Sequence, residues 1–442
     1  MKEITNNFIE NVEGQFVDDP LYKVARRALL KNSISSVTQV NEEVENTRNR
    51  FSIDIETLPV TNQKKSGRCW IFAGCNVLRE KIAKKYNLDN FELSQNYVAF
   101  YDKFEKCNYL MESIITLKDN KEEERTLDTL LQNGIEDGGQ WDLFVNIVNK
   151  YGVVPKDSFP ETYQSSNTKE IDAILNRYIR KFAATIKNMP KDSGINDDIE
   201  ALKTFMMGKI YIVLCSSFGI PPKTINFEYV DKDKKYNCIK NITPQDFLKE
   251  YVEVDLNNYV SIINSPTEDK PFNDTFTVKY LGNVLEGNKV KYLNLPIERL
   301  KELVISQLKD NEPVWFGSDC SKNSEREEGV WDDNSFDYDT LFQIDTKMDK
   351  GAMLDTRESA MNHAMVITGV NLDENIPTKW KIENSWGDDI ANKGYYVCSD
   401  TWFNKYVYQA VIDKKYLNEN ELNDLEKEPK KLEIWDPMGT LA

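Results

Sequence analysis

The spacing of apolar residues divides the chain into a part with a helical period and a part with a strand period. In the first part, apolar positions recur every three or four residues, which is typical of helices with a buried face. The predicted helices begin at Cys69, after Ser94, at Trp141, at Glu170 and near Asp197. After about residue 270 the period shortens to two, and aromatic and β-branched residues dominate. The sequence therefore predicts an α+β protein with a cleft between a helical half and a strand-rich half.

The strand period marks separate segments in the second part of the chain. The predicted strands cover residues 313–317, 363–370, 379–384, 394–398 and 407–413. The whole pattern predicts an N-terminal arm or interface segment (1–57), the helical half with the candidate nucleophile (58–160), a helical insertion (161–265), the β-rich half (266–415) and a C-terminal tail (416–442). A chain of 442 residues exceeds one typical core, because domains average about 150 residues.

The chain is acidic, with a formal net charge of −17 and a pI near 4.8. Nucleic-acid binders gain affinity mainly by neutralising phosphates, so this charge balance argues against that class. The first ten residues lack the apolar core of a signal peptide, and we expect no segment with the roughly 18 apolar residues of a spanning helix. The sequence therefore predicts a cytoplasmic protein with no membrane and no nucleic-acid partner.

Cysteine and histidine usage narrows the chemistry. The seven cysteines are scattered and contain no C-x-x-C pair, which supports neither a disulfide framework nor a zinc site. His363 is the single histidine, so one subunit cannot build a site with several histidine ligands. We expect no metal and no cofactor. If the protein uses an imidazole base at neutral pH, only His363 can supply it.

Residues 62–79 carry the candidate nucleophile. Cys69 stands where a turn of Ser66, Gly67 and Arg68 meets the start of a predicted helix. A thiol reacts as its thiolate, and the free N–H groups and dipole at a helix start stabilise that anion. Free cysteines are more often buried small hydrophobes, and we interpret Cys75, which lies further along the same helix, in that way. The rest of the chain has to decide between the two interpretations of Cys69.

A base and its orienting partner lie on two predicted strands. His363 begins one strand, and Asn384 ends the next, where its side chain is suited to hold one imidazole nitrogen and turn the ring towards the sulfur. Trp386 follows two residues later and is suited to shield that hydrogen bond from water. The alternative for Trp386 is an ordinary core tryptophan.

Gln63 is the candidate for stabilising an oxyanion. Its side-chain amide and the backbone N–H of Cys69 supply the two donors that a tetrahedral acyl intermediate needs. Losing one side-chain donor of this kind typically raises the barrier by about 3–4 kcal/mol. A surface glutamine is the alternative.

These four residues occur in the order glutamine, cysteine, histidine, asparagine, which resembles the papain superfamily. The chain departs from that signature in two ways. Arg68 stands before the cysteine in place of a small residue, and His363 follows Cys69 by 294 positions (363 − 69), about twice the usual span of about 130–150.

Longer motifs identify one branch, the bleomycin hydrolase / aminopeptidase C family. The motifs that resemble it are Val60-Thr-Asn-Gln, Ser66-Gly-Arg-Cys-Trp-Ile-Phe-Ala, Phe91-Glu-Leu-Ser-Gln, Asp137-Gly-Gly-Gln-Trp-Asp, Asn362-His-Ala-Met, Glu383-Asn-Ser-Trp-Gly and Trp435-Asp-Pro-Met-Gly. They run from the first part of the chain almost to its last residue. The resemblance implies a papain-like cysteine proteinase fold, with a helical half, a β-barrel-like half, a cleft between them and helical insertions.

The resemblance also implies an activity and an assembly. It implies a cysteine aminopeptidase that releases N-terminal amino acids from peptides through a thioester, acts on bleomycin-like amides as well, and forms a homohexamer whose sites face an internal cavity. The C-terminal tail would lie in the cleft, where the carboxylate of Ala442 pairs with the α-ammonium group of the substrate. Gly138 and Gly139 would lie beside the substrate backbone, and Trp386 would line the same site.

Three alternatives stay open at this point. A cysteine endopeptidase and an aminoacyl transferase would use the same fold and the same four residues. The non-enzymatic alternative is an oligomeric scaffold or nucleic-acid-binding protein that retains a dead site, and the acidic charge and the complete set of four residues argue against it.

Overall fold

The computed structural model of the chain describes residues 2–42, 49–189 and 194–440. The described helices are α1 (Asn6–Phe16), α2 (Pro20–Leu29), α3 (Ile34–Thr38), α4 (Cys69–Tyr86), α5 (Gln95–Leu117), α6 (Glu124–Asn133), α7 (Trp141–Tyr151), α8 (Lys169–Lys187), α9 (Ile195–Phe218), α10 (Pro244–Phe247), α11 (Ile297–Lys309), α12 (Tyr338–Phe342), α13 (Lys350–Asp355), α14 (Asp400–Tyr406) and α15 (Glu419–Leu425). Short 3-10 or π turns cover Lys121–Glu123, Lys156–Ser158, Leu248–Val252, Leu256–Asn258, Lys414–Tyr416 and Pro437–Gly439.

The described strands lie mostly in the second part of the chain. They are β1 (Ile53–Asp54), β2 (Ile225–Val230), β3 (Tyr236–Ile242), β4 (Tyr259–Ile263), β5 (Asp274–Val278), β6 (Tyr292–Asn294), β7 (Val314–Ser318), β8 (Ser324–Glu325), β9 (Val330–Trp331), β10 (His363–Asp373), β11 (Ile376–Glu383), β12 (Tyr395–Ser399), β13 (Val407–Asp413) and β14 (Lys430–Leu432). The five predicted strands correspond to β7, β10, β11, β12 and β13. They are therefore confirmed, as is the α+β class.

Helix α4, which carries the candidate nucleophile, packs between the two halves. It begins at Cys69 as the sequence predicts, and every residue from there to Arg79 is buried. The sequence pattern suggests a single buried face, and that expectation is wrong. Strands β10 and β7 pack on the helix together with α5 and α7, so solvent reaches only its later turns. The helix ends at Tyr86, and the C-cap residue Asn87 has a left-handed φ of 54° and donates its N–H to the carbonyl of Ala83.

One large mixed sheet forms the second half. Its order in the described chain is β14-β5-β6-β4-β13-β7-β10-β11-β12-β9-β8, with β1 paired to β10. Strand β10 runs antiparallel to both neighbours, with His363 opposite Ser318 of β7 and Val366 opposite Glu383 of β11. This register brings the start of β10 and the end of β11 side by side, at the edge that faces helix α4.

Two hydrophobic cores support the halves. The first joins α4 to the helices around it and includes Trp70 and Trp315. The second lies between the sheet and helices α11 and α14, where the rings of Trp380 and Phe403 stack with centres 4.4 Å apart. Burying an apolar side chain of this size stabilises the fold by about 1.5–3 kcal/mol. Both sides of the cleft are therefore rigidly supported.

The segment 161–265, which we expect to be helical, contains strands as well. Helices α8 and α9 are present, and the apolar run 210–214 belongs to α9. The chain then forms the hairpin of β2 and β3 and the strand β4, which joins the main sheet. Alternating exposure along β2, from Ile225 to Val230, explains the hairpin, since one face packs on the core while the other meets solvent. The predicted domain boundaries themselves stay predictions.

Helix α9 also differs from the expectation for membrane segments. It is long and apolar enough to cross a membrane by length and composition, and 28% of its 18-residue window is buried in the chain. A single helix of this kind is a weak indication of a membrane span, because the core helix of a soluble protein passes the same test. Its exposed face carries Phe205 and Ile212, which are 60% and 57% exposed.

The described part of the C-terminal tail is docked, although a terminus without a periodic pattern is expected to fray. Strand β14 pairs with β5. The guanidinium of Arg125 lies 3.8 Å from the ring centre of Trp435, and Arg357 donates a hydrogen bond to the Trp435 carbonyl at 3.1 Å. Lys270, which is buried, pairs with Asp436 at 3.0 Å. These contacts direct the chain towards the cleft.

Candidate active site

Cys69 occupies the first position of α4, at the base of the cleft. Arg68 is the N-cap residue and makes no side-chain cap, so side chains leave the first N–H groups of the helix free for other partners. The backbone N–H of Ala364 donates to the Cys69 sulfur at 3.5 Å. This contact joins residues 295 positions apart, and because Ala364 directly follows His363 it brings the base candidate close to the nucleophile.

Arg68, which departs from the papain pattern, has a structural role. Its guanidinium makes two hydrogen bonds to the Glu161 carboxylate, at 3.1 and 2.9 Å, and its Nε donates to the Ser66 hydroxyl at 2.9 Å. Its side chain is 1% exposed. A bidentate pair of this kind is strong and directional, so it holds the turn that precedes Cys69.

His363 and Asn384 form the predicted pair. Nε2 of His363 lies 2.8 Å from Oδ1 of Asn384. The backbone N–H of Ser385 donates to the same Oδ1 at 2.7 Å, which assigns that atom as an acceptor and the imidazole Nε2 as a donor. The indole of Trp386 stacks on the imidazole with ring centres 4.9 Å apart and an interplanar angle of 24°. All three predicted residues therefore meet, and Nδ1 of His363 is left as the nitrogen that can act as a base.

Gln63 is tied to the same segment. The Ser385 hydroxyl donates to Gln63 Oε1 at 2.6 Å, and the Gln63 backbone N–H donates to the Ser385 carbonyl at 2.8 Å. The side-chain Nε2 donates to the Ser66 carbonyl at 2.7 Å. An amide nitrogen carries two hydrogens, so one of them is engaged by the loop and one stays available for a ligand. Ser385 orients this amide, and the sequence did not predict that role.

The electrostatics of the nucleophile are set mainly by burial. Burial raises the pKa of Cys69 to about 11, while the backbone N–H groups of Ala364, Trp70 and Cys69 itself act in the opposite direction. The helix start thus favours the thiolate as the sequence predicts, but its effect is smaller than that of burial. Burial therefore favours the thiol form of Cys69, and the backbone N–H groups favour the thiolate.

Burial also favours the neutral form of the base, His363. It lowers the pKa of His363 to about 4, and the hydrogen bond that the imidazole donates to Asn384 opposes that change. The charge of Arg326 lowers the pKa further, because its guanidinium lies 4.3 Å from the ring centre of Trp386. No sequence signal marked Arg326, which lies in an exposed turn. The imidazole is consequently neutral at physiological pH and free to accept a proton.

The loop with the paired glycines packs against the nucleophile turn. A Cβ on Gly139 would lie 2.5 Å from the indole of Trp70, so only glycine fits there. The same indole donates from Nε1 to the Asp137 carbonyl at 2.7 Å, and Lys106 donates to the Gly138 carbonyl at 2.6 Å. Both predicted glycines therefore lie beside the residue that follows Cys69.

Asp137 links this loop to the turn before Cys69. Its carboxylate accepts from the backbone N–H of Gly67 at 2.8 Å and from the hydroxyl of Thr168, and it pairs with Lys103 at 2.5 Å. Burial alone would raise the pKa of Asp137, but the Lys103 ammonium outweighs it and holds that pKa below its usual range. The ionised aspartate thus fastens two loops of the site to each other.

The tail approaches the same loop. The Tyr292 hydroxyl donates to the Met438 carbonyl at 3.1 Å, and Gln140 Nε2 donates to the Thr440 carbonyl at 2.7 Å. Gln140 directly follows the two glycines. Ala442, which the sequence analysis assigns to substrate binding, lies outside the described residues.

A cavity of about 610 Å³ lies between the tail and the cleft. It is lined by tail residues, by the segment around Ile135 and Glu136, and by Met361 and Asn362, which precede His363. Its volume is in the usual range for a small-ligand site, about 300–1,000 Å³. Among residues 2–42, 49–189 and 194–440, no cluster of three or more histidine, cysteine, aspartate or glutamate side chains is arranged to hold a metal ion.

Comparisons with known proteins agree with this architecture. The model of the Peptidase C1-like family matches residues 3–439. An aminopeptidase C of Lactobacillus delbrueckii subsp. lactis is 45% identical, and the match covers 100% of this chain and 99% of the relative. Bleomycin hydrolase of Homo sapiens is 39% identical over 96% of this chain and 95% of its own length. The crystal structure of PepW from Lactobacillus rhamnosis HN001 superposes with a TM-score of 0.97 at 43% identity, covering 100% of this chain and 99% of that one.

The fold is therefore that of the papain-like cysteine peptidases, and the enzyme class is a cysteine-type aminopeptidase. The chain belongs to the Peptidase C1-like family, among the aminopeptidase C and bleomycin hydrolase relatives. The resemblance noted in the sequence is confirmed.

Proposed function

We propose that the chain releases N-terminal amino acids from peptides through a thioester on Cys69. The observation that carries this proposal is the convergence of three residues at one point. The sulfur of Cys69 lies 3.5 Å from the backbone nitrogen next to His363, and the other side of the His363 ring is bonded to Asn384 at 2.8 Å. This arrangement supports a nucleophile, a base and an orienting group.

In the acylation step, the Cys69 thiol gives its proton to His363 and the sulfur attacks the first peptide carbonyl carbon. The attacking species is a Cys69 thiolate beside a His363 imidazolium, and it forms in this step because burial favours the neutral pair. The free N–H of Gln63 and the backbone N–H of Cys69 stabilise the oxyanion. The C–N bond then breaks as the imidazolium protonates the leaving amine.

In the deacylation step, the same imidazole takes a proton from water, and the hydroxide attacks the thioester carbonyl. The C–S bond breaks, the amino acid leaves as its carboxylic acid, and the proton on His363 returns to the sulfur. Trp386 covers one face of the ring during both steps and limits the access of bulk water to the bond with Asn384.

The test of the nucleophile is Cys69→Ser, assayed with an aminoacyl fluorogenic substrate. We expect hydrolysis to be abolished. Cys238→Ser is the matched control, because Cys238 lies in the hairpin strand β3, and it should keep wild-type turnover. Turnover retained in Cys69→Ser would refute the mechanism.

We propose further that the carboxylate of Ala442 anchors the α-ammonium group of the substrate and blocks the cleft beyond it. The support is the course of the tail, since Thr440 bonds to Gln140 beside the glycine loop and two further residues reach at most about 7 Å. The substrate then has room for one residue before the scissile bond.

Deletion of residues 439–442 tests the anchor. We expect loss of hydrolysis of free-amine substrates and gain of hydrolysis of N-acetylated peptides. Equal cleavage of free and N-acetylated peptides by the intact chain would favour the endopeptidase alternative, and product transfer to an added amine would favour the transferase. Assays on bleomycin-like amides extend the same test to the activity that the human relative is named for.

The proposal includes a cytoplasmic homohexamer. The support for assembly is the uncovered apolar surface of the N-terminal arm, because α1 buries none of its residues within the chain although it carries Phe8, Ile9 and Val12. Sedimentation equilibrium tests it, and a monomer at micromolar concentration would contradict it. Fractionation of expressing cells tests the location.

A further inference from the structure

We propose that Gln140 is the positioning residue that sets the reach of the C-terminal carboxylate. This inference rests on the proposed anchoring of the substrate by Ala442. Gln140 stands between the glycine loop, which packs on Trp70 beside the nucleophile, and the last described residue of the tail, Thr440. It is the last described contact before residues 441 and 442.

The side chain of Gln140 does not cap its own helix. Gln140 is the N-cap residue of α7, where a polar side chain normally accepts a hydrogen bond from the first turn. Its side chain turns away from the helix, and Nε2 donates to the Thr440 carbonyl at 2.7 Å. The side chain of Gln140 therefore donates a hydrogen bond to the tail and makes none to its own helix.

The acceptor atom of the same amide strengthens the argument. Gln140 is fully buried, at 0% exposure, and its Oε1 has no hydrogen-bond partner. A buried acceptor without a partner costs stability, so an apolar residue of the same size would be preferred if packing were the only requirement. Natural proteins keep unfavourable buried polar groups of this kind mainly at functional sites.

The other tail contacts lie further from the end. Arg125 and Arg357 hold Trp435, Lys270 holds Asp436, and Tyr292 holds the Met438 carbonyl. They fix the tail up to residue 438. The Gln140 bond is the contact that orients the Thr440 carbonyl, which directly precedes residue 441.

The position of Gln140 also couples the two sides of the substrate. Gly139 precedes it and has no space for a side chain against Trp70, so the backbone of the loop cannot drift. Trp70, Gly139 and Gln140 thereby connect the start of the nucleophile helix to the Thr440 carbonyl. If Thr440 is held in place in this way, the proposed Ala442 anchor stays close to Cys69. The substrate then has room for a single residue between its anchored ammonium group and the reacting carbonyl.

The experiment is Gln140→Met, which keeps the volume, removes the donor and relieves the unpaired acceptor, so the variant is expected to fold. We expect KM for aminoacyl fluorogenic substrates with a free amine to rise about tenfold, equivalent to ~1.4 kcal/mol, with kcat changed less than about twofold. Hydrolysis of N-acetylated peptides should rise several-fold. Gln409→Met is the matched control. Gln409 is also fully buried with an unpaired Oε1, but its Nε2 donates to the Ser261 hydroxyl in the main sheet, so the change should leave both values near wild type.

The same substitution in a chain that lacks residues 439–442 separates the tail from the loop. In that chain we expect Gln140→Met to leave kcat/KM for N-acetylated peptides unchanged, because the bonding partner at Thr440 is gone. A Gln140→Met effect that persists in the shortened chain would mean that Gln140 acts through the glycine loop, and the inference would be wrong. If the deletion by itself leaves KM for free-amine substrates unchanged, the anchoring proposal is wrong, and the inference about Gln140, which rests on it, is wrong as well. If the deletion raises KM and Gln140→Met does not, only the inference about Gln140 fails.

A readout independent of activity completes the test. Carboxypeptidase digestion should release the C-terminal residues of Gln140→Met several-fold faster than those of the wild type or of Gln409→Met. Equal rates in all three proteins would contradict the assignment of Gln140.

Discussion

Asn384 holds the ring of His363 through Nε2, at 2.8 Å, and leaves Nδ1 as the only ring nitrogen able to exchange a proton with a nucleophile. The bond is possible because β10 and β11 pair with Val366 opposite Glu383, which sets the start of one strand beside the end of the other. It joins residues 21 positions apart and is covered on one side by Trp386.

Asn384→Ala is expected to lower kcat about 10- to 100-fold with little change in KM. The bonded acceptor stabilises the imidazolium that forms during attack, and a hydrogen bond to a charged group contributes about 1.5–3 kcal/mol. The measurement is steady-state hydrolysis of an aminoacyl fluorogenic substrate. Asn371→Ala is the control, because Asn371 bonds to Thr378 in an exposed part of the same strand pair. A kcat within twofold of wild type in Asn384→Ala would argue against this role.

Gln63→Ala is expected to lower kcat about 10²- to 10³-fold, since it removes a donor to the oxyanion. Ser385→Ala provides the comparison. It removes the 2.6 Å bond that orients the amide but keeps the donor itself, so its loss should be much smaller. Equal losses in the two variants would indicate that Gln63 serves only the local hydrogen-bond network.

The pH dependence of kcat/KM should have a wide plateau for the catalytic pair. Below about pH 4 His363 is protonated and cannot accept the thiol proton, and above about pH 11 Cys69 has lost that proton already. Between these values the pair holds the single proton that the reaction moves. An N-acetylated peptide, assayed on the chain without residues 439–442, should therefore show constant kcat/KM from pH 5.5 to 9.

Free-amine substrates of the intact chain should behave differently at alkaline pH. An α-amino group has a pKa of about 7.7–8.0, and above it the substrate loses the charge that the Ala442 carboxylate attracts. We expect kcat/KM to fall above about pH 8 for these substrates. If kcat/KM fell at alkaline pH for both kinds of substrate, the fall would come from the enzyme and not from the substrate amine. A loss of kcat/KM on the acid side near the ordinary histidine pKa of about 6.5 would contradict the effect of burial on His363.

Gly139→Ala is expected to displace Trp70 and to reduce kcat/KM while destabilising the fold by about 1–3 kcal/mol. The cause is steric, because the new Cβ would lie 2.5 Å from the indole. Gly208→Ala is the matched control, since nothing lies within 4 Å of its Cβ position on the exposed face of α9. That change should stabilise the chain by up to about 1 kcal/mol and leave activity unchanged. Urea unfolding and kcat/KM check both variants.

Much of the fold could be predicted because its elements have a strong local period. The alternating residues of 407–413 and the helical pattern that follows Cys69 specify their elements directly, and the structure has both at those positions. The hairpin of β2 and β3 was missed because a short, partly exposed strand pair in a charged region leaves a weak pattern. The burial of α4 on both sides was missed because it depends on which elements pack around the helix.

The sequence by itself determined the chemistry available to this protein. A single histidine means that His363 is the only imidazole, and a cysteine where a turn meets an apolar helix is a suitable nucleophile. Only the tertiary structure decided which side chains serve that chemistry. Ser385 orients Gln63 across 322 residues, Glu161 binds Arg68 across 93, and Gln140 meets the tail across 300. Contacts between such distant positions arise from the packing of whole elements, and no local period encodes them.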